Sequence, residues 1–190
     1  MRIGEVLFFS PNFRFWDLDF DNTPVILKAF QDRVEGFYLA PARRLLSTGD
    51  AFACGLICAA SIDFLAKFSL TEEGVGNRIT SWLEQNIPVF AKPDPGNPSR
   101  TLARRFYDDF RNGLVHEGRI KNLGQFSLEC KDLIGFVDAA MVVNPELLLD
   151  AISRAFHRYC QVLASDPVKC DRLMTQLQTD FQKEIAAARK

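Results

Sequence analysis

Apolar residues recur along the chain every three or four positions, in long stretches separated by short runs rich in Pro, Gly and Asn. Leu27, Phe30, Val34, Phe37 or Tyr38, and Leu45 follow Thr23-Pro24, which reads as an N-cap and a Pro at the first helical position. Pro41 falls inside this stripe and predicts a kink or break near residue 40. Asp50 opens a second helix, over 51–68. No charge occurs from Ala51 to Ile62, which predicts a helix apolar on every side at the centre of a bundle, with Leu56, Ile57, Ala60 and Phe64 buried. Asp63 then stands in apolar company, as a partly exposed residue near the helix end or as a buried functional acid. Ile79, Trp82, Leu83, Ile87 and Phe90 mark the inner face of a third helix over 73–90, and the Pro- and Gly-rich loop 92–98 ends it.

A fourth helix is predicted over 99–117, with Leu102, Phe106, Phe110 and Leu114 inward. The period then changes. Phe126, Leu128 and Cys130 alternate with polar residues, and 136–143 is apolar and β-branched, which predicts a hairpin over 125–143. Asn144-Pro145-Glu146 restarts a helix with the stripe Leu148, Ile152, Phe156, Tyr159 and Leu163. Asp166-Pro167 starts the last one, with Leu173, Leu177, Phe181 and Ile185 inside. Residues 1–21, aromatic-rich and punctuated by Pro11 and Asn12, read as an extended arm on the body of the fold, with no sheet assigned. The expected fold is mainly α: a helical bundle, one small β-hairpin (about 125–143) and two C-terminal helices. All of it is read as a single domain, 1–190, with a helical core over 24–120 and the hairpin and trailing helices over 121–190.

Composition narrows the function classes. Twenty-three basic residues against 24 acidic ones, a net charge of −1, exclude a generally basic nucleic-acid coat and leave room for local patches. Seventeen Phe against three Tyr and two Trp indicate a Phe-packed core rather than a wet binding face. The five Cys, at 54, 58, 130, 160 and 170, lack a Cys-x-x-Cys pair and lie mostly in apolar stretches, as expected of reduced residues in a cytoplasmic protein rather than a disulfide framework. No signal peptide and no membrane span are expected. Two His, at 116 and 157, leave no His-rich metal site in one chain and two candidates for a catalytic imidazole. His157, between Phe156 and Tyr159, reads as structural. Cys54 and Cys58 are one turn apart with no His nearby in sequence, a poor start for zinc.

The chemistry concentrates in Arg111-Asn112-Gly113-Leu114-Val115-His116, at the C-terminal end of the fourth helix. Arg offers a planar, permanently charged fork that suits a phosphate. His exchanges a proton near neutral pH. Together they can serve phosphodiester cleavage, the imidazole moving a proton and the guanidinium stabilising charge on the phosphorus oxygens. In a regular helix Asn112 and His116 share a face, whereas Arg111 and His116 lie about 140° apart. The structural alternative has Arg111 bridging to Asp108 or Asp109, with His116 closing the helix where a cation suits the dipole. Six Arg or Lys against three acids give residues 100–121 a net charge of +3, and Arg104, Arg105, Arg119 and Lys121 are candidates to hold RNA phosphates or to form a solvated face.

These residues resemble the Arg-x(4–6)-His motif of the HEPN superfamily (higher eukaryotes and prokaryotes nucleotide-binding domains), in which a polar residue such as Asn often follows the Arg. The order of helices is also similar: an amphipathic one, a strongly apolar one over 51–60, then the motif helix. The resemblance covers roughly residues 24–120. It implies a helical bundle that homodimerises and brings two Arg/His pairs into one cleft. It further implies a metal-independent endoribonuclease needing no cofactor, of the toxin or defence-effector kind, with an antitoxin or regulatory protein as a possible partner. Arg111 would bind the scissile phosphate, His116 would assist attack by the ribose 2′-OH, and Asn112 would orient the pair. Gly113 would allow close approach at the dimer seam, or is simply a tolerated helix glycine. The branch paired with nucleotidyltransferase antitoxins often has Tyr two positions after the His; here that position is Gly118, so the resemblance does not extend to that branch. The alternative is a non-catalytic helical interaction module with a structural Arg/His pair.

Overall fold

The computed structural model describes residues 1–188. The fold is mainly α, with three small sheets. The chain divides into two compact units, one formed by residues 1–40 with 158–190 and the other by residues 41–157.

In the first unit the aromatic N-terminal arm is a sheet. β1 (Arg2–Ile3), β2 (Val6–Ser10) and β3 (Phe13–Arg14) pair antiparallel in chain order. Helix α1 (Thr23–Val34) is capped one residue earlier than the sequence predicts, by Asn22, whose side chain accepts from the Val25 N–H at 3.4 Å. The arm lies on this helix: Asp32 accepts from the Asn12 backbone and side-chain N–H groups at 3.0 and 2.7 Å. Phe9 is fully buried, edge-on to Phe15 and Phe181 with both centroids at 5.4 Å. The Arg33 guanidinium stands over Phe9, Phe37 and Phe181. Near Pro41 the predicted break takes another form. A π-turn, Glu35–Leu39, shifts the hydrogen bonds back by one residue, Ala40 N–H reaching Glu35 O, and α2 (Ala40–Ser47) follows with Pro41 in its first turn. Helix α7 (Pro167–Asp180), capped by Asp166 on Lys169 N–H at 3.1 Å, and α8 (Gln182–Ala188) complete the unit.

The second unit holds the candidate chemistry. Helix α3 (Ala51–Ser69) is long and apolar enough, by length and composition alone, to cross a membrane, and half of it is buried inside the fold. Cys54, Cys58, Ile62, Leu65 and Ala66 face the core. The helix is nevertheless not apolar-packed on every side. Leu56 is 40% exposed, Phe52 51% exposed, Ala60 is exposed, and Ile57 and Phe64 are half-buried, so the burial expected for these positions is not met. Hydropathy alone could not fix this, because residues 52, 56, 60 and 64 form a face that no other element among the described residues covers completely.

Helix α4 (Val75–Asn86) buries Ile79, Trp82 and Leu83, and a 3₁₀ turn, Pro88–Ala91, buries Phe90. The loop predicted over 92–98 contains a hairpin, β4 (Pro93–Asp94) with β5 (Asn97–Thr101). Its pivot is Asp94, fully buried and paired with Arg100 at 2.8 Å and Arg105 at 2.9 Å. Helix α5 (Leu102–Phe106) begins three residues later than predicted, where Thr101 accepts from Arg104 N–H at 3.2 Å. The predicted hairpin over 125–143 is realised as β7 (Ile134–Val137) against β8 (Ala140–Val143), and β6 (Gln125–Phe126) adds a parallel strand to β8. Asn144 opens α6 (Pro145–Ser165), accepting from Glu146 and Leu147 N–H at 2.9 and 3.2 Å and donating to Cys130 O at 2.7 Å.

Candidate functional site

The motif does not sit on a regular α-helix. After α5 the backbone makes two successive π-turns, Tyr107–Arg111 and Gly113–Glu117, and Gly118 ends the element in the left-handed conformation at φ 67°. A π-turn hydrogen-bonds five residues back and occurs frequently at functional sites. Residues five apart are thereby drawn toward one face, so the angular gap between Arg111 and His116 is smaller than in an α-helix. The spacing carries a trace of this. Leu102, Phe106, Phe110 and Leu114 step by four, and all four are buried. A regular helix drifts by about 40° every four residues and would carry the last of them off the core face.

Two close contacts hold this segment. Phe106 and Phe110 stack at 5.1 Å, and Phe126 meets Phe110 at 5.2 Å. The chain after Gly118 folds back over Gly113: Lys121 N–H donates to Asp109 O at 2.8 Å and Arg119 N–H to Gly113 O at 3.3 Å. A Cβ on residue 113 would stand 2.3 Å from Arg119 O. Gly113 is therefore buried under its own chain, which accounts for the glycine without a dimer seam.

Arg111 does not bridge to Asp108 or Asp109. Its Nε and Nη2 both donate to Asp63 Oδ2, at 3.1 and 2.5 Å, and its Nη1 reaches Asn112 Oδ1 at 3.4 Å. The two flanking acids have other partners, Asp108 with Arg104 at 3.1 Å and Asp109 with Arg105 at 3.2 Å. Asp63 and Arg111 line a cleft of ≈ 290 Å³ with Leu56, Phe64, Lys67 and Val115 among its walls. Val115 is 56% exposed and extends the open apolar face of α3. The His116 side chain is exposed and, among the described residues, makes no hydrogen bond or ion pair. Arg111, Asn112 and Asp63 are thus brought together, while no side-chain hydrogen bond or ion pair among the described residues joins His116 to them.

The basic candidates separate into two groups. Arg105 is buried, and its guanidinium is taken up by Asp94, Asp109 and the Ala139 carbonyl, with Phe136 beneath it. It is not on the surface. Arg104, Arg119 and Lys121 are on the surface or half-buried. Arg104 pairs with Asp108, and Arg119 and Lys121 both pair with Glu117 at 2.7 Å. Such solvent-accessible pairs contribute little to stability. His157 is exposed, with Nδ1 at 2.7 Å from Ser153 O one turn back. Cys54 and Cys58 each place Sγ at 3.9 Å from Pro145 O. Among the described residues no three His, Cys, Asp or Glu side chains cluster to hold a metal ion.

Asp63 is the member of the site that motif reading does not supply. It lies 48 positions before Arg111. Its only sequence signal is an acid at the end of an otherwise uncharged helical run. Compared with family models, curated proteins and solved structures, the chain matches none.

Proposed function

We propose that the protein is a metal-independent endoribonuclease resembling HEPN proteins, cleaving RNA with Arg111 and His116 at a cleft between two copies of the chain. The reading rests on one observation: the Arg111 guanidinium lines an open cleft on a π-turn segment whose last turn presents His116 to solvent. In this role Arg111 holds the scissile phosphate and stabilises the charge that develops on it. His116 takes the proton of the attacking ribose 2′-OH; as the 2′-O–P bond forms the P–O5′ bond breaks, leaving a 2′,3′-cyclic phosphate on the 5′ fragment and a 5′-oxygen on the 3′ fragment that takes up the proton as a 5′-OH. Asn112 steadies the guanidinium from its other side. The exposed apolar face of Phe52, Leu56 and Val115 supports a homodimer, because a two-fold contact there would cover it and double the catalytic groups in one cleft. A toxin or defence effector held in check by an antitoxin or regulatory protein fits this chemistry.

The test is growth on induced expression, wild type against His116→Ala at matched soluble protein. Arrest by the wild type alone is the expected result; equal growth would sink the toxin form of the reading. The second reading is a non-catalytic interaction module, and the specific observation in its favour is the Arg111–Asp63 ion pair, which gives the arginine a structural partner.

A further inference from the structure

We propose that Asp63 is an intramolecular competitor for the anion-binding fork of Arg111, so that RNA must displace its carboxylate before a phosphate can be held. The inference rests on the reading of Arg111 as the phosphate-binding group and adds a regulatory element to it. Both the Nε and Nη2 donors of Arg111 converge on one oxygen, Asp63 Oδ2. This edge of the guanidinium is the one that receives carboxylates and phosphates as a fork. While the carboxylate is there, an incoming phosphate meets a neutralised cation and a nearby negative charge.

The pair is built to open. The side chains of Arg111 and Asp63 are 15% and 28% exposed, so water reaches the carboxylate as it leaves. Among the described residues Arg111 is the only hydrogen-bonding partner of the Asp63 carboxylate. The buried acid–arginine centre around Asp94 in this unit is the opposite case. Asp94 is fully buried and held by Arg100, Arg105 and the Gly96 N–H. Neutralising Asp63, as in an amide variant, also changes the charge of the cleft. Its charged walls are Asp63, Lys67 and Arg111, a net +1, and removing the carboxylate's charge makes it +2.

The experiment measures binding rather than cleavage. A labelled single-stranded 2′-O-methyl oligoribonucleotide, which lacks the attacking hydroxyl, is titrated by fluorescence anisotropy against the full chain over a range of salt. The proteins are wild type, Asp63→Asn, Arg111→Ala and the double variant. Asp63→Asn should bind about three- to tenfold more tightly at low salt, since the opposing charge is partly solvent-screened. It should also steepen the slope of log affinity against log salt by roughly 0.7, the value for one further cation on a single strand. The double variant should lose the whole gain, since Arg111 is where the gain arises. Should the amide variant melt below the assay temperature, Asp63→Ser, also neutral and smaller, makes the same comparison. If Arg111→Ala weakens binding while Asp63→Asn binds no more tightly than wild type, the competitor role is overturned and the phosphate-binding role of Arg111 stands. If neither variant changes binding, Arg111 is not an RNA contact and both ideas fall.

Discussion

The ring of Phe126 occupies the place where a side chain on residue 55 would stand: a Cβ on Gly55 would lie 2.3 Å from both Cδ2 and Cε2. The same ring meets Phe110 of the motif segment at 5.2 Å and Phe52 of α3 at 6.5 Å. The contact therefore connects α3, strand β6 and the π-turn that carries Arg111. Gly55→Ala should destabilise the protein, because overpacking costs about 1–3 kcal/mol and exceeds the helix-propensity gain of about 1 kcal/mol. Trimming Phe126 to Leu in the same chain should recover part of the loss, and the double-mutant cycle in chemical melts measures the coupling. Additive effects of the two substitutions would show that the ring is free to move aside.

The two faces of α3 should respond differently to truncation. Leu65 is 1% exposed, and Leu65→Ala should cost on the order of 2–5 kcal/mol. Leu56 is 40% exposed, and Leu56→Ala should stay within about 1 kcal/mol in a monomeric sample. If the open face is the homodimer contact, Leu56→Asp should leave the unfolding of the monomer nearly unchanged while abolishing the dimer in analytical ultracentrifugation. A wild type that sediments as a monomer at micromolar concentration would remove that contact from the proposed function.

This contrast marks where the sequence was legible. The inner faces of α4 and of the motif segment could be read because Ile79, Trp82, Leu83, Phe106 and Phe110 repeat at helical spacing and are all buried. The open face of α3 could not, because an unbroken apolar run says which residues avoid charge and nothing about whether enough chain exists to cover each side. Strands β4 and β5 were hidden by their Pro and Gly content. Their pairing is held by ion pairs from Arg100 and Arg105 to Asp94, which no periodicity announces. The candidate site was half legible. Arg111, Asn112 and His116 stand together in sequence, but their geometry depends on π-turns and on an acid 48 residues away.

Asp94 should make stability depend on acid. Burial pushes its pKa up, but hydrogen bonds from the Gly96 N–H, Arg100 and Arg105 outweigh that and hold it below the usual carboxylate value. A depressed pKa in the folded state stabilises the fold at pH values above the unfolded carboxyl pKa of about 3.9. That contribution is lost as pH falls through the lower folded value. Urea melts from pH 7 downward should show wild type losing stability below about pH 4. Asp94→Asn should be less stable at neutral pH, by on the order of 3 kcal/mol, because buried Arg105 loses a charged partner. Its stability should fall less steeply in acid. Parallel curves for the two proteins would assign the acid dependence to other groups.

The functional reading separates from the structural one through the different surroundings of Arg111 and His116. The His116 side chain is exposed and makes no hydrogen bond or ion pair among the described residues, so His116→Ala should leave the thermal melt unchanged. As the proton-transfer group it should nonetheless slow RNA cleavage by about 10²–10⁴. Arg111 is tied to Asp63, so Arg111→Ala should lower both stability and cleavage. Arg111→Lys retains the charge but lacks the planar fork and should restore stability better than activity. Cleavage should persist in EDTA and leave cyclic phosphate ends, and His157→Ala should behave as wild type. A structural pair gives the reverse order, with Arg111→Lys fully rescued and His116→Ala without effect on any RNA assay. Cleavage that survives His116→Ala at an unchanged rate would remove the imidazole from the chemistry, whatever Arg111 does.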